Sequence, residues 1–391
     1  MKVMASIRGI LAATAFTLYA ASPAAQTIKI GFISTFSGPE AFWGERMERG
    51  INLYMKLHAG SLPPGVRIEV VKRDDGGPNP DKAKQIAQEL IVREKVQFLT
   101  GVVWTPNAMA IAPLTAESRT PFVVMNAAAS VITTRSPYIT RLGATLWQSA
   151  LPMGEWAAKK YKRAYIAVTD FVPGHDTEAA FEKGFASPGR EIIGKVRMPL
   201  ANPDFVPFMQ RVKDAKPDVL FTFVPGGRQS VAFLKAYVDL GLEKAGIPLI
   251  GTTVILDEEL PEEALGMTTV FYYTPSAERP ANKAFVAAFN KEFGVNPEYV
   301  AVVAWDAMDA IYHAIREQKG RLDADRTMEL LKNYKNPNSP RGPISIDPAT
   351  RDIVLNMYLR EVRKVGGKLM NVETETIATA IKDPWKELNR K

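Results

Sequence analysis

Residues 27–44 read TIKIGFISTFSGPEAFWG, an apolar run followed at once by a turn of small residues and proline. The run over residues 27–36 is rich in β-branched and aromatic residues, which favour a buried strand, and SGP at 37–39 is typical of a tight turn. In sheets that helices cover on both faces, ligands collect where loops follow the carboxyl ends of the strands. The segment therefore predicts a strand that leads to a binding cleft, with Trp43 at its lip.

The first 25 residues have the features of a secretory signal peptide. A positive start with Lys2 and Arg8 is followed by an apolar stretch over residues 10–21 and by small residues suited to cleavage near Ala24. That stretch, like every later one, is shorter than the ~20 apolar residues of a transmembrane helix. We expect residues 1–25 to be removed and the mature chain to be exported and soluble.

Cysteine usage and charge narrow the class of protein further. The 391 residues include no Cys, which excludes a lipid-modified cysteine, a disulfide and a thiolate nucleophile. Without a lipid anchor, retention outside the cytoplasm favours a periplasm. The formal net charge of +7 falls to +5 without the leader, because the leader holds two positive charges and no negative one. Since Lys and Arg are interspersed with Asp and Glu, we expect no nucleic-acid partner.

Short apolar runs alternate with amphipathic helical patterns along most of the chain. Residues 81–93, for example, place Ala83, Ile86 and Leu90 at the three-and-four spacing of a helix. Candidate strands lie at residues 28–33, 66–72, 96–100, 121–125, 164–169, 192–196, 219–224, 248–251 and 270–273. Repetition of strand then helix with short loops predicts an α/β fold with parallel sheets covered on both faces.

The strand-and-helix series occurs twice, over residues 27–141 and again over residues 146–273. Three helical patterns without an intervening strand follow, which suggests that the chain returns to its first half; they lie at residues 282–293, 299–318 and 326–335. A late strand pair, at residues 344–346 and 353–365 with a Gly366-Gly367 turn, would then cross back.

This arrangement predicts two doubly wound lobes around a shared cleft. Roughly 365 mature residues exceed one typical domain, and no low-complexity linker separates the halves, so a hinge of several short crossings is expected. The predicted N-terminal lobe comprises residues 26–143 plus 277–343. The predicted C-terminal lobe comprises residues 144–276 plus 344–391.

Four stretches occur in an order that covers nearly all of the mature chain. They are the opening through Trp43-Gly44, Asp74-Asp75 with Pro80 and the helical pattern to residue 93, residues 101–113, and residues 282–297. In this order the chain resembles the branched-chain amino acid type of ABC-transporter solute-binding protein. The resemblance implies a type I periplasmic binding protein that closes like a Venus flytrap, a small-molecule ligand, permease subunits as partners, and a monomer.

Two further segments resemble one subgroup of that family more than the others. Residues 170–176 read DFVPGHD, and residues 223–226 read FVPG. Both look more like the aromatic-acid uptake subgroup than the amino-acid subgroup. The resemblance therefore implies a small carboxylated, aromatic ligand.

Thr105 and Pro106 are predicted to begin a helix, because threonine suits the N-cap and proline suits the first helical position. The free amides and partial positive charge of a helix N-terminus suit a carboxylate. The resemblance implies that Thr105 binds the ligand carboxylate and that Asn126, Ala127 and Ala128 form a second carboxylate loop. Amino-acid binders usually have a hydroxyl residue where Ala128 stands, which leaves backbone amides and the Asn126 side chain. The alternatives are simple capping by Thr105 and a buried loop of small residues.

The position that binds the ammonium group in amino-acid binders of this family lacks its acidic residue here. Thr252 and Thr253 follow Gly251, and the next carboxylate is that of Asp257. Burying an ammonium without a carboxylate partner commonly costs several kcal/mol. An α-amino acid is therefore disfavoured unless Asp257 or Asp170 reaches the ligand, and Thr253 stays a candidate contact.

The remaining candidate contacts are aromatic, apolar or cationic residues around the expected mouth of the cleft: Trp43, Trp104, Phe171, Pro225, Gly226, Arg228 and His175. Ring contacts add ~0.5–1.5 kcal/mol each beyond area burial, so a ring-shaped ligand would gain from the aromatic ones. Arg228, at an expected helix start, would form a fork onto a carboxylate. The alternatives are core positions for the tryptophans and surface positions for Arg228 and His175.

Catalysis has little support in the sequence. The three histidines are far apart, and the chain has no Gly-x-Ser-x-Gly, P-loop, Gly-x-Gly-x-x-Gly or His-Glu-x-x-His motif, so we predict no catalytic residue, metal or cofactor. We predict a receptor that captures a small organic acid between two lobes and delivers it to a permease. The alternatives are an amino-acid receptor of the same transporter class, a ligand-sensing receptor for a membrane sensor, and a secreted enzyme on a related scaffold.

Overall fold

The computed structural model describes residues 26–252 and 260–390. The predicted signal peptide, Thr253 and Asp257 lie outside the described residues. Within the described ranges no helix is both long and apolar enough to cross a membrane.

Fourteen strands are present in the described part of the chain. They are β1 (Gln26–Ser34), β2 (Val66–Asp74), β3 (Phe98–Gly101), β4 (Phe122–Val124), β5 (Ile139–Arg141), β6 (Arg163–Thr169), β7 (Glu191–Met198), β8 (Val219–Phe223), β9 (Leu249–Thr252), β10 (Thr268–Phe271), β11 (Lys335–Asn336), β12 (Ile344–Ile346), β13 (Ile353–Val365) and β14 (Lys368–Ile381). All nine candidate strands of the sequence series are present, with shifted ends. The prediction omitted β5, β11 and β14.

Eleven α-helices lie between or after these strands in the same described ranges. They are α1 (Phe42–Leu57), α2 (Pro80–Val92), α3 (Thr105–Ser118), α4 (Leu146–Lys160), α5 (Val172–Phe185), α6 (Val206–Ala215), α7 (Arg228–Asp239), α8 (Pro280–Phe293), α9 (Tyr299–Glu317), α10 (Ala324–Lys332) and α11 (Pro384–Leu388). The first ten include the helices that the sequence patterns predict at residues 81–93, 282–293, 299–318 and 326–335.

Two sheets organise the chain, which confirms the predicted α/β fold with two doubly wound lobes. The first sheet has the order β2-β1-β3-β4-β5, and all of its strands are parallel. The second has the order β11-β12-β13-β10-β9-β8-β6-β7, with β14 paired to β13. Its strands from β6 to β10 are parallel, whereas β11 to β14 add an antiparallel edge.

The chain passes between the sheets more than once. It leaves the first sheet after β5 and enters α4, which precedes the second sheet. After β10 it continues into α8 and α9, and α9 packs on α1, which follows the first strand of the first sheet. Tyr54 of α1 donates a hydrogen bond to Asp309 of α9 at 2.5 Å. After α10 the chain returns through β12 to the second sheet. The exact lobe boundaries stay a prediction, since β11 pairs with β12 across the boundary expected after residue 343.

A buried cluster of charged side chains joins the segments in which the chain crosses between the two sheets. The Arg141 guanidinium donates to Asp352 Oδ1 at 2.6 Å, and both side chains are almost completely buried. Lys386 of α11 contacts the other carboxylate oxygen of Asp352. Asp383 Oδ1 accepts from Ser130 Oγ at 3.0 Å. The C-terminal helix is thereby fastened to the region where the chain leaves the first sheet.

A second buried ion pair joins α9 to the segment through which the chain returns to the second sheet. Arg341 Nε donates to Asp306 Oδ2 at 2.7 Å, and Ser339 Oγ donates to the same oxygen at 2.8 Å. Both charged side chains are inaccessible to solvent. These clusters, named here the hinge charges, comprise Arg141, Asp352, Asp383, Lys386, Arg341 and Asp306.

Candidate functional site

A cavity of about 710 Å³, part of it open to solvent, lies between the two lobes. Its walls carry aromatic side chains from both lobes: Trp43, Trp104, Phe171, Phe223, Phe271, Tyr272 and Tyr299. Hydroxyl and amide groups also line it, on Thr105, Asn126, Thr145 and Ser149. None of the lining residues that the structure describes is Asp, Glu, Lys, Arg or His. The cavity is therefore apolar, rich in rings and without a formal charge along its described wall.

Six of the described helices begin at this cavity. The lining residues at their starts are Trp43 at the second position of α1, Thr105 at the first of α3, Leu146 at the first of α4, Pro173 at the second of α5, Gly226 two residues before α7 and Tyr299 at the first of α9. For five of the six helices this convergence follows from parallel strands, whose carboxyl ends and following helix starts share one edge of each sheet, whereas α9 follows α8. Helix starts present free amides and partial positive charge, so the cavity favours an anion although its described wall has no cationic side chain.

Trp43 forms part of the first-lobe wall, as the sequence predicts for a residue after the SGP turn. The helix that carries it starts directly after a short turn over Gly38–Glu40. Its indole Nε1 donates to Glu40 Oε2 at 2.9 Å, and its ring centroid lies 6.0 Å from that of Tyr299 in an edge-on arrangement. Only 3% of the side chain is exposed. Because the indole N–H is already bonded, Trp43 offers a ligand its apolar ring.

Thr105 lines the cavity, but it is not the N-cap that the sequence predicts. Trp104 has the extended backbone of the N-cap, Thr105 is the first helical residue, and no side chain caps α3. The prediction of a capping threonine is wrong because Pro106 occupies the second helical position and not the first. The buried Thr105 Oγ1 has no hydrogen-bond partner among the described residues. Since an unpaired buried hydroxyl is unfavourable, this group is suited to a ligand.

Tyr299 and Asn126 form a polar pair in the cavity wall. The Tyr299 hydroxyl donates to Asn126 Oδ1 at 3.0 Å. Burial raises the pKa of Tyr299 well above its ordinary value, so the phenol stays neutral. Asn126 Nδ2 lies 3.5 Å from the Val103 carbonyl, a long hydrogen bond. With its oxygen occupied and one N–H directed at Val103, Asn126 has its second amide N–H available for an acceptor on a ligand.

Trp104 also lines the cavity, and a buried relay fixes its indole. Trp104 Nε1 donates to Thr35 Oγ1 at 3.0 Å, and Thr35 in turn donates to Asp75 Oδ1 at 2.7 Å. Asn107 Nδ2 donates to Asp75 Oδ2 at 2.9 Å. Desolvation by burial raises the pKa of the Asp75 carboxyl. The second aspartate of the Asp74-Asp75 pair therefore orients a wall of the cavity without touching it.

Aromatic residues of the second lobe complete the wall. Phe171 and Phe223 lie parallel with ring centroids 6.0 Å apart, and Phe271 stacks on Tyr272 at 4.1 Å. Sequence reasoning named Phe171 but missed Phe223, Phe271 and Tyr272 as site residues. Phe223 and Phe271 are the last residues of β8 and β10, so the rule that ligands meet strand carboxyl ends would have found them.

The twelve predicted site residues comprise eight that line the cavity, three that do not and one outside the described residues. Eight line the cavity: Trp43, Trp104, Thr105, Asn126, Ala128, Phe171, Pro225 and Gly226. Ala127 is buried beside them, with its amide donating to the Val102 carbonyl at 3.1 Å, but it does not line the cavity. Thr253 lies outside the described residues.

His175 and Arg228 lie away from the cavity wall. Residues 170–176 include a helix start, because α5 begins at Val172 and places His175 within its first turns. His175 is partly exposed, and its Nε2 lies 2.7 Å from Asp170 Oδ1. Arg228 is the first residue of α7, is exposed and does not line the cavity. Asp170 is thus engaged by His175 and does not supply the missing ammonium partner.

A two-lobed α/β fold with an apolar, ring-lined cavity between its lobes defines the class of cleft-closing ligand-binding proteins. The chain belongs to the periplasmic binding protein family, whose model matches residues 27–368. Membership of this family shows that the chain is a binding protein and not an enzyme.

Three similar proteins illustrate the range of this family. The Leu/Ile/Val-binding protein homolog 6 of Brucella melitensis is 42% identical over 370 residues, which are 92% of this chain and 94% of the homolog. A solute-binding protein of an ABC transporter from Rhodopseudomonas palustris HaA2, in complex with p-hydroxybenzoic acid, is 44% identical with a TM-score of 0.88, covering 92% of this chain and 98% of that one. One from R. palustris BisB5, in complex with 3,4-dihydroxybenzoic acid, is 43% identical with a TM-score of 0.87, covering 92% and 99%.

Proposed function

We propose that this protein is the periplasmic receptor of an ABC importer and that it binds an aromatic carboxylate of the benzoate class. The ring lies between Trp43 and the second-lobe aromatic residues, and the carboxylate is bound by Thr105, the start of α3 and the Asn126 amide. The lobes close over the ligand and present the closed surface to the permease subunits. One observation carries the proposal: six helices begin at a ring-lined cavity that has no formal charge along its described wall.

The helix starts account for selection of an anion. Each helix N-terminus stabilises a nearby negative charge by roughly 0.3–1 kcal/mol, and more in a partly buried geometry. The unpaired Thr105 hydroxyl adds a hydrogen bond to a charged acceptor. A neutral ligand gains little from either feature, so the carboxylate, not the ring, determines the orientation of the ligand.

The composition of the cavity wall disfavours an amino acid. An α-ammonium group needs a carboxylate partner when it is buried, and its absence costs several kcal/mol. The described lining residues include no acidic side chain, and Asp170 is bonded to His175. The name of the Brucella homolog supports the alternative of an amino-acid ligand. The two R. palustris proteins, whose ligands are hydroxylated benzoic acids, support the aromatic ligand.

Export and assembly form the rest of the proposal. Residues 1–25 direct export to the periplasm, and the mature protein acts as a monomer without a nucleic-acid partner. The N-terminal lobe comprises residues 26–143 plus 277–343, and the C-terminal lobe comprises residues 144–276 plus 344–391. Copurification of the mature protein with permease subunits, and not with a membrane kinase, would separate transport from sensing.

A thermal-shift series on the leaderless protein tests the ligand class. We expect benzoate, 4-hydroxybenzoate and 3,4-dihydroxybenzoate to raise the melting temperature, because a ligand that binds only the folded state stabilises it. Benzamide is the matched control, since it keeps the ring and lacks the charge. Stabilisation by leucine or valine, with none by the benzoates, would contradict the proposal.

A further inference from the structure

Phe42 and Gly227 meet across the mouth of the cavity. Phe42 is the first residue of α1, and Gly227 is the N-cap of α7 in the other lobe. A Cβ atom built on Gly227 would lie 2.8 Å from Phe42 Cζ and 3.0 Å from Cε1. Carbon atoms pack at about 3.5–4.0 Å. The edge of the Phe42 ring therefore lies directly against the bare backbone of Gly227, with no room for a methyl group between the lobes.

This contact lies next to the ligand site without being part of it. Neither Phe42 nor Gly227 lines the cavity, whereas their neighbours Trp43 and Gly226 both do. The contact therefore lies at the mouth of the cavity, and each of its two residues is adjacent in sequence to a residue of the cavity wall. Phe42 can therefore act on a bound ligand only indirectly, through the closure of the lobes or through the Trp43 ring against which it packs.

The ring and the glycine are both held in place. The Arg46 guanidinium carbon lies 5.0 Å from the centroid of the Phe42 ring, and the Trp43 ring lies 4.6 Å from it on the same helix. Gly227 has φ 92° and ψ −147°, a backbone conformation that is essentially restricted to glycine. A close approach and a special backbone conformation independently require glycine here.

We propose that Phe42 and Gly227 form a latch that holds the lobes closed and sets the rate of ligand release. The inference rests on the proposed function, in that the cavity beside the latch is taken as the ligand site. A contact made only in the closed state stabilises that state relative to the open one. Because the latch does not touch the ligand, it retains all ligands of the class to the same degree.

Phe42→Ala tests the latch by stopped-flow release of bound 4-hydroxybenzoate and benzoate. We expect the dissociation rate to rise about tenfold and by the same factor for both ligands, with an association rate changed by less than about threefold. Leu57→Ala, at the exposed far end of α1, is the matched control and leaves both rates unchanged. An unchanged dissociation rate would overturn the latch, and unequal factors would assign Phe42 to the shaping of the Trp43 wall instead.

A double-mutant cycle separates the interlobe contact from backbone strain. Gly227→Ala introduces both a clash and strain, whereas Gly227→Ala in a Phe42→Ala background retains the strain alone. We expect Gly227→Ala to weaken binding at least about fivefold more when Phe42 is present than when it is absent. Gly241 follows the C-terminal end of α7, has a positive φ and has open space around it. Gly241→Ala is therefore a control that reports the effect of backbone strain without a clash. Equal losses in both backgrounds would overturn the proposal.

A ligand-free measurement distinguishes failure of the latch from failure of the proposed ligand class. The chain has no Cys, so Glu45→Cys with Arg228→Cys places one reactive pair beside the latch, at two exposed positions. We expect a short bifunctional thiol reagent to cross-link this pair several times faster than in the same protein carrying Phe42→Ala. Equal rates would overturn the latch whatever the ligand is. Faster cross-linking together with no binding of any benzoate would retain the latch and refute the ligand class.

Discussion

The cavity and the hinge are both buried, but they are built from opposite chemistry. The described wall of the cavity has rings, hydroxyls and one amide and no formal charge. The hinge has six charged side chains in its core, the hinge charges defined above, each almost completely buried. The two regions meet at Tyr272, whose ring centroid lies 5.2 Å from the Arg341 guanidinium carbon.

The difference in charge between the two regions reflects which of them keeps its hydrogen-bonding and ionic partners at all times. A buried charge is tolerable only with a fixed partner, and every hinge charge has one within the chain. The cavity loses its partner each time the ligand leaves, so an unpaired buried charge there would destabilise the empty protein. Neutral hydroxyls and helix starts attract an anion at a smaller cost when the cavity is empty. Fixed charges therefore define the crossings, and neutral groups define the site.

Removal of one hinge charge should have the largest effect of the changes considered. Arg141→Met removes the guanidinium that binds Asp352 and the Ala129 carbonyl, leaving buried acceptors without their partner. We expect the free energy of unfolding to fall by about 3–5 kcal/mol, measured by urea denaturation. Arg119→Met is the matched control, because Arg119 pairs with Asp325 on the surface, and should leave the free energy of unfolding nearly unchanged. Equal losses would remove the distinction between the hinge and an ordinary ion pair.

Trp43→Ala tests the cavity side of the comparison. We expect ligand affinity to fall at least about tenfold, since the variant loses a ring contact and the apolar area buried with it. Calorimetric titration measures the loss at a temperature at which circular dichroism shows the variant folded. Trp43→Phe should retain most of the affinity, and Trp156→Ala, at a tryptophan of α4 outside the cavity wall, should leave it unchanged. Unchanged affinity in Trp43→Ala would place the ligand elsewhere.

Thr105→Val tests whether neutral groups bind the carboxylate. We expect affinity for benzoate to fall about fivefold, near 1 kcal/mol, and affinity for benzamide to change less, because a hydrogen bond to a charged acceptor is the stronger one. Thr140→Val is the matched control, since Thr140 Oγ1 is also buried without a described partner but lies outside the cavity wall. Equal losses for acid and amide would assign Thr105 a packing role.

The sequence predicted nine of the ten parallel strands in the described ranges, since most of them are buried and read as apolar runs, but it missed β5, which has only three residues. It missed β14, whose sequence KLMNVETETIATAI has no continuous apolar face, since the strand lies in an exposed hairpin with β13. In the site, it found Trp43, Thr105 and Gly226 at helix starts that follow strands near in sequence, but it missed Leu146 and Pro173 at two others. It missed Tyr299, which reaches Asn126 across 173 positions.

The hinge charges were likewise beyond prediction from the sequence. Arg141 and Asp352 are separated by 211 positions, and each looks like one more surface charge in its own segment. Periodicity identifies the face that a residue occupies on its own helix or strand, but it contains no information about a partner on a distant crossing. Only the packing of the two sheets brings these groups together.

The smallest expected effect concerns the pH dependence of the stability that Asp383, one of the hinge charges, contributes. Burial, with the nearby negative charge of Asp352, raises the pKa of Asp383 to about 6. The folded protein then binds more protons than the unfolded chain between the ordinary carboxyl pKa and about pH 6, so the contribution of Asp383 to stability decreases as pH rises through that window. We expect Asp383→Asn to abolish this decrease, with a difference from wild type that changes by on the order of 1 kcal/mol between pH 4 and pH 7.

Asp74 provides the control of opposite sign. Although partial burial acts to raise it, the pKa of Asp74 is lowered, because the Ser37 hydroxyl and the Phe36 and Gly76 amides donate to its carboxylate. Its contribution to stability is therefore present above the ordinary carboxyl pKa and is lost as pH falls through the folded value. Asp74→Asn should lose stability mainly at neutral pH, whereas Asp383→Asn should gain relative to wild type there. Urea denaturation of both variants across this range measures the two slopes, and slopes of the same sign would contradict the assignment of Asp383 as a carboxyl whose burial outweighs its partners.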